Sequence, residues 1–135
     1  MGKGTASYNT ERSKMKKTPK QKLIKKLEKQ NKEKFEIEVY EKYGNKCFCG
    51  LSATEIHHYI PVSVCLGMRY FVPNGVPICR KCHSLLKFNQ GSEIDAKIIL
   101  TRGDGWLAEI VATREYWRKN QITNKLKFLE DILED

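Results

Sequence analysis

The chain has no apolar run long enough to span a membrane, and no apolar secretory segment follows its first residues. Gly2 is not followed by the Ser or Thr that a myristoylation signal places at position 6, which is Ala6 here. These absences count against membrane contact, and the expectation is a soluble, cytoplasmic protein. Cysteines number five, an odd count that does not suit a secreted disulfide framework. In a reducing compartment closely paired cysteines point to metal. There are no internal repeats. Acids are scarce in one stretch: from Arg12 to Lys34 eleven Lys and Arg face only Glu28 and Glu33. That excess equals the net charge of +9 of the whole chain, so the remainder is neutral overall. Concentrated positive charge attracts polyanions and releases their counterions, which makes nucleic acid the first partner to consider. The same stretch lacks aromatics from Lys20 to Lys34, so it is suited to phosphates and not to reading bases.

The 135 residues suffice for a single domain with a tail. Residues 1–17 read as a flexible basic tail, rich in Gly, Ser and Lys and without apolar periodicity. Thr18-Pro19-Lys20-Gln21 is a helix start: Thr18 caps, Pro19 suits the first helical position and Gln21 completes a capping box. A basic amphipathic helix is predicted over 18–44, with Leu23, Ile24 and Leu27 on one face, then Phe35, Val39, Tyr40 and Tyr43, before Gly44 ends it. The alternation over 35–39 also fits a strand. Strong helix formers on either side, with no turn signal between, favour the helix. In the 45–90 segment, Cys47 to Gly50 reads as a tight turn, Glu55 to Ile60 as a strand, Asn74-Gly75 as a turn and Lys81 to Asn89 as a helix. Over 91–135, Ser92 and Asp104 look like caps of two helices, bearing Ile94, Ile98 and Ile99, then Trp106, Leu107, Ile110, Val111 and Trp117. Ile122, Leu126, Leu129 and Leu133 continue the helical spacing. The fold class is α+β, with a small hairpin-and-helix centre wrapped by N- and C-terminal helices.

Two cysteine pairs, Cys47-x-Cys49 and Cys79-x-x-Cys82, are about thirty residues apart. Zinc in a structural site takes four such ligands in a tetrahedron, and a core this small gains from a staple. The alternative is four buried thiols. Cys65, between Val64 and Leu66, reads as a small buried hydrophobe. The chain's three histidines all lie inside or beside this framework: His57-His58 between the pairs, and His83 directly after Cys82. An ordinary His pair is two residues on opposite faces of a strand. Bracketing by cysteines, Pro61 three residues on and the coupling of His83 to Cys82 argue for chemistry instead.

Residues 57–61, His-His-Tyr-Ile-Pro, and Asn74-x4-Cys79-x2-Cys82-His83 resemble the two signature elements of the HNH endonuclease family, with Tyr59 where an aliphatic residue is common. The resemblance covers roughly residues 46–89. It implies a ββα-metal core and hydrolysis of DNA phosphodiester bonds. Carried over residue by residue, it makes His58 the general base, His57 and His83 the ligands of a catalytic Mg²⁺ or Mn²⁺, and Asn74 the residue that holds His58 in its working orientation. The four cysteines would hold structural Zn²⁺. Many family members carry a further His one turn after the position of His83, where this chain has Lys87. The site is then a two-ligand version, or a third ligand comes from elsewhere, or Asn89 reaches in. The layout is similar to that of phage junction resolvases, which makes branched as well as double-stranded DNA a candidate substrate. A single catalytic block favours nicking one strand per subunit, with double-strand cuts made by a homodimer.

Lys20, Lys22, Lys25, Lys26 and Lys29 are the expected phosphate contacts of the basic helix, and Arg80, Lys81 and Lys87 flank the catalytic residues. Two other readings compete with the nuclease. One is a non-catalytic zinc module that binds DNA or RNA. The other is an adaptor that docks through Trp106, Trp117 and the Leu126, Leu129 and Leu133 face.

Overall fold

A computed structural model describes residues 16–86 and 91–134. Most of the expected tail, and Lys87 and Asn89, therefore lie outside the described residues. The first element, α1 (Pro19–Tyr43), begins with the expected capping box. Gln21 donates its backbone N–H to Thr18 Oγ1 at 3.2 Å, and Thr18 N–H donates to Gln21 Oε1 at 2.9 Å. Two donors that a bare helix start leaves orphaned are thus satisfied. Gly44 ends the helix at φ 79°, a value that suits glycine, and donates its N–H to Tyr40 O. The strand alternative over 35–39 is excluded, because these residues lie within α1. The buried stripe is Leu27, Asn31, Phe35 and Val39, each four residues on. Leu23, expected on this face, is 42 % exposed because the stripe meets its partners only from Ile24 onward.

Strands β1 (Glu55–His58) and β2 (Gly75–Ile78) pair antiparallel, with Glu55 opposite Ile78 and His58 opposite Gly75. Helix α2 (Arg80–Leu85) follows β2 at once. Asn74-Gly75 is not the turn that the sequence suggested. Asn74 ends a short 3₁₀ helix, Val72–Asn74, and Gly75 opens β2 at φ −89°. Glycine is needed there for space: a Cβ would lie 2.5 Å from Val39 Cγ2 and 2.8 Å from Phe35 Cζ. This close approach presses α1 against the hairpin.

Helices α3 (Gly91–Arg102), α4 (Asp104–Lys119) and α5 (Lys125–Glu134) complete the fold. Ser92 and Asp104 are not caps. Ser92 lies inside the first turn of α3, and Gly103, at φ 89°, joins α3 directly to α4, leaving Asp104 as the first helical residue. An acid there still complements the helix dipole. Along α4, Trp106 and Ile110 are buried, whereas Val111 is turned to solvent.

Two cores result. One gathers Val76, Ile78, Met68 and the buried cysteines with Ile94, Ile98, Trp106 and Ile110. Partly buried Cys65 packs against it. The other joins Leu27, Phe35 and Val39 of α1 to Tyr70 and to Phe128 and Leu129 of α5. Asn31 ties these helices by donating to Leu27 O and, across the interface, to Leu129 O at 3.1 Å. Trp117 packs against both cores. Gly67 lies beneath the Trp117 ring, and a Cβ there would fall 2.2 Å from it. Overpacking of this kind costs about 1–3 kcal/mol. Gly67→Ala is therefore expected to lower the urea midpoint by a matching amount, and an unchanged midpoint would contradict this packing.

Among the described residues, no helix is long and apolar enough to cross a membrane.

Candidate metal centre

The Cys47–Gly50 turn closes with Gly50 N–H on Cys47 O at 2.9 Å, and Gly50 takes φ 94°. Cys47 N–H donates to Leu51 O, which fixes the loop's far side. On the other side of the centre, Cys79 caps α2 and its Sγ accepts the Cys82 N–H at 3.4 Å. The four Sγ atoms of Cys47, Cys49, Cys79 and Cys82 all lie within 4.8 Å of one another and could hold a metal ion. The Cys49–Cys79 sulfur separation is 3.7 Å. A tetrahedron with Zn–S bonds of about 2.3 Å has sulfur–sulfur edges of about 3.8 Å, so the donor set fits zinc. Burial pushes the Cys47 and Cys82 thiols up. The Cys82 backbone N–H holds Cys79 down at about 7, which readies it to deprotonate for a metal.

Residues of β1 alternate between two sides. Ile56 and His58 face α1, where Ile56 joins the second core and the His58 ring stacks on Phe35, with centroids 5.2 Å apart. Glu55 and His57 face α2. The His57 and His83 rings meet there edge to face, with centroids 5.4 Å apart. The structure thus brings His57 and His83 together and sends His58 to the opposite side of the strand. His83 Nδ1 is hydrogen-bonded to Glu55 Oε2, and Arg80 Nε lies 3.7 Å from the other carboxylate oxygen.

His58 Nε2 is 2.9 Å from Arg69 O. A carbonyl only accepts, so Nε2 carries the hydrogen and Nδ1 of the neutral ring keeps the lone pair. Burial lowers the pKa of His58 and so favours that neutral form. Asn74 is fully buried, and its side-chain hydrogen bonds go to main chain and not to the His58 ring. Its Oδ1 accepts Ile60 N–H at 2.7 Å, and its Nδ2 donates to Ile60 O and Met68 O, each at 3.1 Å. These bonds hold the backbone just beyond the strand.

The pKa of His57 falls to about 4, chiefly through burial and then through the charges of His83 and His58. An unfolded histidine has a pKa of about 6.5, so the unfolded chain binds the proton more readily. The resulting contribution to stability, on the order of 3 kcal/mol at most, is complete above that pKa and is lost as the pH falls from there through the folded value. Without added divalent cation, the His57 ring signals should barely move on titration down to about pH 5.5, where a free imidazole is mostly protonated. A midpoint near the unfolded value would contradict the burial.

Lys20, Lys22, Lys25, Lys26 and Lys29 are all exposed on α1, and Arg80 and Lys81 are exposed on α2. Sequence reasoning missed Glu55, Arg69 and Phe35. The alternation of strand side chains could have found Glu55. Arg69 acts through a backbone carbonyl that no sequence pattern announces.

No family model matches the chain, and neither the curated proteins nor the solved structures yield a match.

Proposed function

We propose that this chain is a metal-dependent endonuclease of the HNH kind, cleaving DNA phosphodiester bonds on a zinc-stapled ββα unit. The observation that carries this reading is the meeting of His57 and His83 on a hairpin and helix whose junction brings Cys79 and Cys82 together with Cys47 and Cys49 of the preceding loop. His57 and His83 would hold Mg²⁺ or Mn²⁺, which supplies Lewis acidity to the scissile phosphate and the leaving 3′ oxygen. His58 takes the proton of the attacking water at Nδ1, the nitrogen left with a lone pair by the Arg69 carbonyl. His57 and His58 leave β1 on opposite sides, so a phosphate that meets both would lie across this strand. Asn74 fixes the backbone that leads away from this strand. The exposed lysines of α1 carry the neighbouring phosphates. Nicking of one strand per subunit follows from a single such centre.

The clustered cysteines and the lysine-rich helix equally support a zinc module that binds nucleic acid without cutting it. Incubating zinc-loaded protein with supercoiled plasmid, single-stranded DNA and branched DNA, with and without Mg²⁺ or Mn²⁺, separates the two. The nuclease converts plasmid to the nicked form only when the cation is present. Binding without cleavage in every metal selects the module. In either case Lys25, Lys26 and Lys29 changed together to Glu should weaken binding and reduce the slope of log affinity on log salt by about 3, since each lost phosphate contact removes about 0.9. An unchanged slope would move the DNA path to the face bearing Arg80 and Lys81.

A further inference from the structure

Glu55 stands two residues before His57, on the same side of β1, and its carboxylate accepts a hydrogen bond from His83 Nδ1. Its other oxygen faces the Arg80 guanidinium. A carboxylate ion has no hydrogen to donate, so the neutral His83 ring carries its hydrogen on Nδ1 and its lone pair on Nε2. Among the described residues, the ligand atoms of Glu55, His57 and His83 do not converge as those of the four cysteines do. That makes Glu55 a poor third arm for the ion and a good support for one of the two.

We propose that Glu55 is a positioning residue that acts through His83, fixing its tautomer so that Nε2 is presented to the divalent cation, with Arg80 steadying the carboxylate. The inference rests on the reading of His57 and His83 as cation ligands. A ligating histidine that donates its second ring N–H to a carboxylate is held in orientation and made more basic, and loss of such support commonly costs 10–100-fold in metal affinity. The residue four positions after His83 in the sequence is Lys87, which in its charged form cannot coordinate.

The test uses the zinc-loaded full chain. Long-range ¹H–¹⁵N correlations of the His83 ring, recorded without added divalent cation, should show the Nδ1–H tautomer in the parent. Glu55→Met, similar in length but without an accepting oxygen, should give a mixture, and Glu55→Gln, whose amide oxygen accepts, should restore the parent pattern. Glu55→Val, which suits a strand and likewise has no accepting oxygen, replaces the Met variant if the latter disturbs the strand. Manganese affinity followed by electron paramagnetic resonance should fall roughly 10–100-fold in Glu55→Met and stay near the parent value in Glu55→Gln. Combining Glu55→Met with His83→Ala should cost nothing beyond His83→Ala alone.

Three results overturn the proposal. An unchanged tautomer in Glu55→Met, with manganese still bound, removes the positioning role and leaves the cation reading standing. An equal further loss of affinity in the His83→Ala background makes Glu55 a direct ligand. Absence of manganese binding by the parent removes the cation reading of His57 and His83, and this inference with it.

Discussion

Cys82→Ser is expected to unfold the half of the molecule built around the hairpin. Cys47 and Cys49 stand on one loop, and Cys79 and Cys82 stand at the β2–α2 junction, so an ion shared by all four ties two segments about thirty residues apart. Structural zinc contributes about 10–16 kcal/mol in small domains, against a total stability of about 5–15 kcal/mol for an ordinary domain. Losing one thiolate therefore removes a contribution as large as the whole margin. Serine in its place also leaves a buried hydroxyl beside the remaining thiols. The core between α1 and α5 lies apart from the cysteines, so helical circular dichroism should fall only in part, while the near-ultraviolet signal of Trp106 should be lost. Zinc content and both spectra check this. A Cys82→Ser chain with the parent's melting temperature, with no zinc bound by either protein, would show the four sulfurs to be clustered thiols and no more.

His58→Ala is expected to abolish cleavage, by roughly 10²–10⁴-fold, with DNA affinity and zinc content near those of the parent. A general base acts only in the chemical step, so kcat should fall while binding is retained. The substitution also removes a ring stacked on Phe35 and a hydrogen bond to Arg69 O, with a cost to stability on the order of 1–2 kcal/mol. Thermal denaturation measured beside the kinetics separates this cost from the chemistry. Single-turnover cleavage of plasmid under saturating protein is the measurement. A His58→Ala rate near that of the parent would place the base elsewhere. His83→Ala should behave differently, since there excess Mn²⁺ recovers part of the activity by mass action.

The parts of this fold that a sequence exposes are those whose cause is local. The capping box at Thr18, the stop at Gly44 and the two cysteine turns depend on residues within a few positions of each other, and all four form as their spacing implies. Phe35 to Val39 reads equally as strand or helix by alternation alone, and the helical neighbours decide it. What was hidden depends on contacts across the chain. Gly75 reads as a turn residue, but its real constraint is the approach of Val39 and Phe35, about forty residues earlier. Asp104 has the composition of a cap, but Gly103 occupies the cap position because α3 ends there.

The site divides in the same way. Its residue types, and the closeness of His57 to His83, follow from a strand feeding a cysteine-capped helix. That His58 turns to α1 follows from strand alternation, though what it meets there does not. Phe35 comes from a helix twenty residues upstream and the acceptor from a main-chain carbonyl. Asn74 was expected to hydrogen-bond across the loop, and its bonds to Ile60 and Met68 do cross it, because a fully buried amide satisfies the loop backbone around it.

The central claim is that two metal sites divide the work, one holding the fold and one serving the chemistry. Dialysing the full chain against a moderate excess of chelator, then counting bound zinc and assaying plasmid nicking before and after Mn²⁺ is returned, tests it in one preparation. The expected result is a folded chain that keeps a single zinc ion, cuts nothing after dialysis and recovers nicking on addition of Mn²⁺ alone. A chain that stays folded with no metal at all, or one that nicks plasmid at the same rate before and after Mn²⁺ is returned, would contradict it.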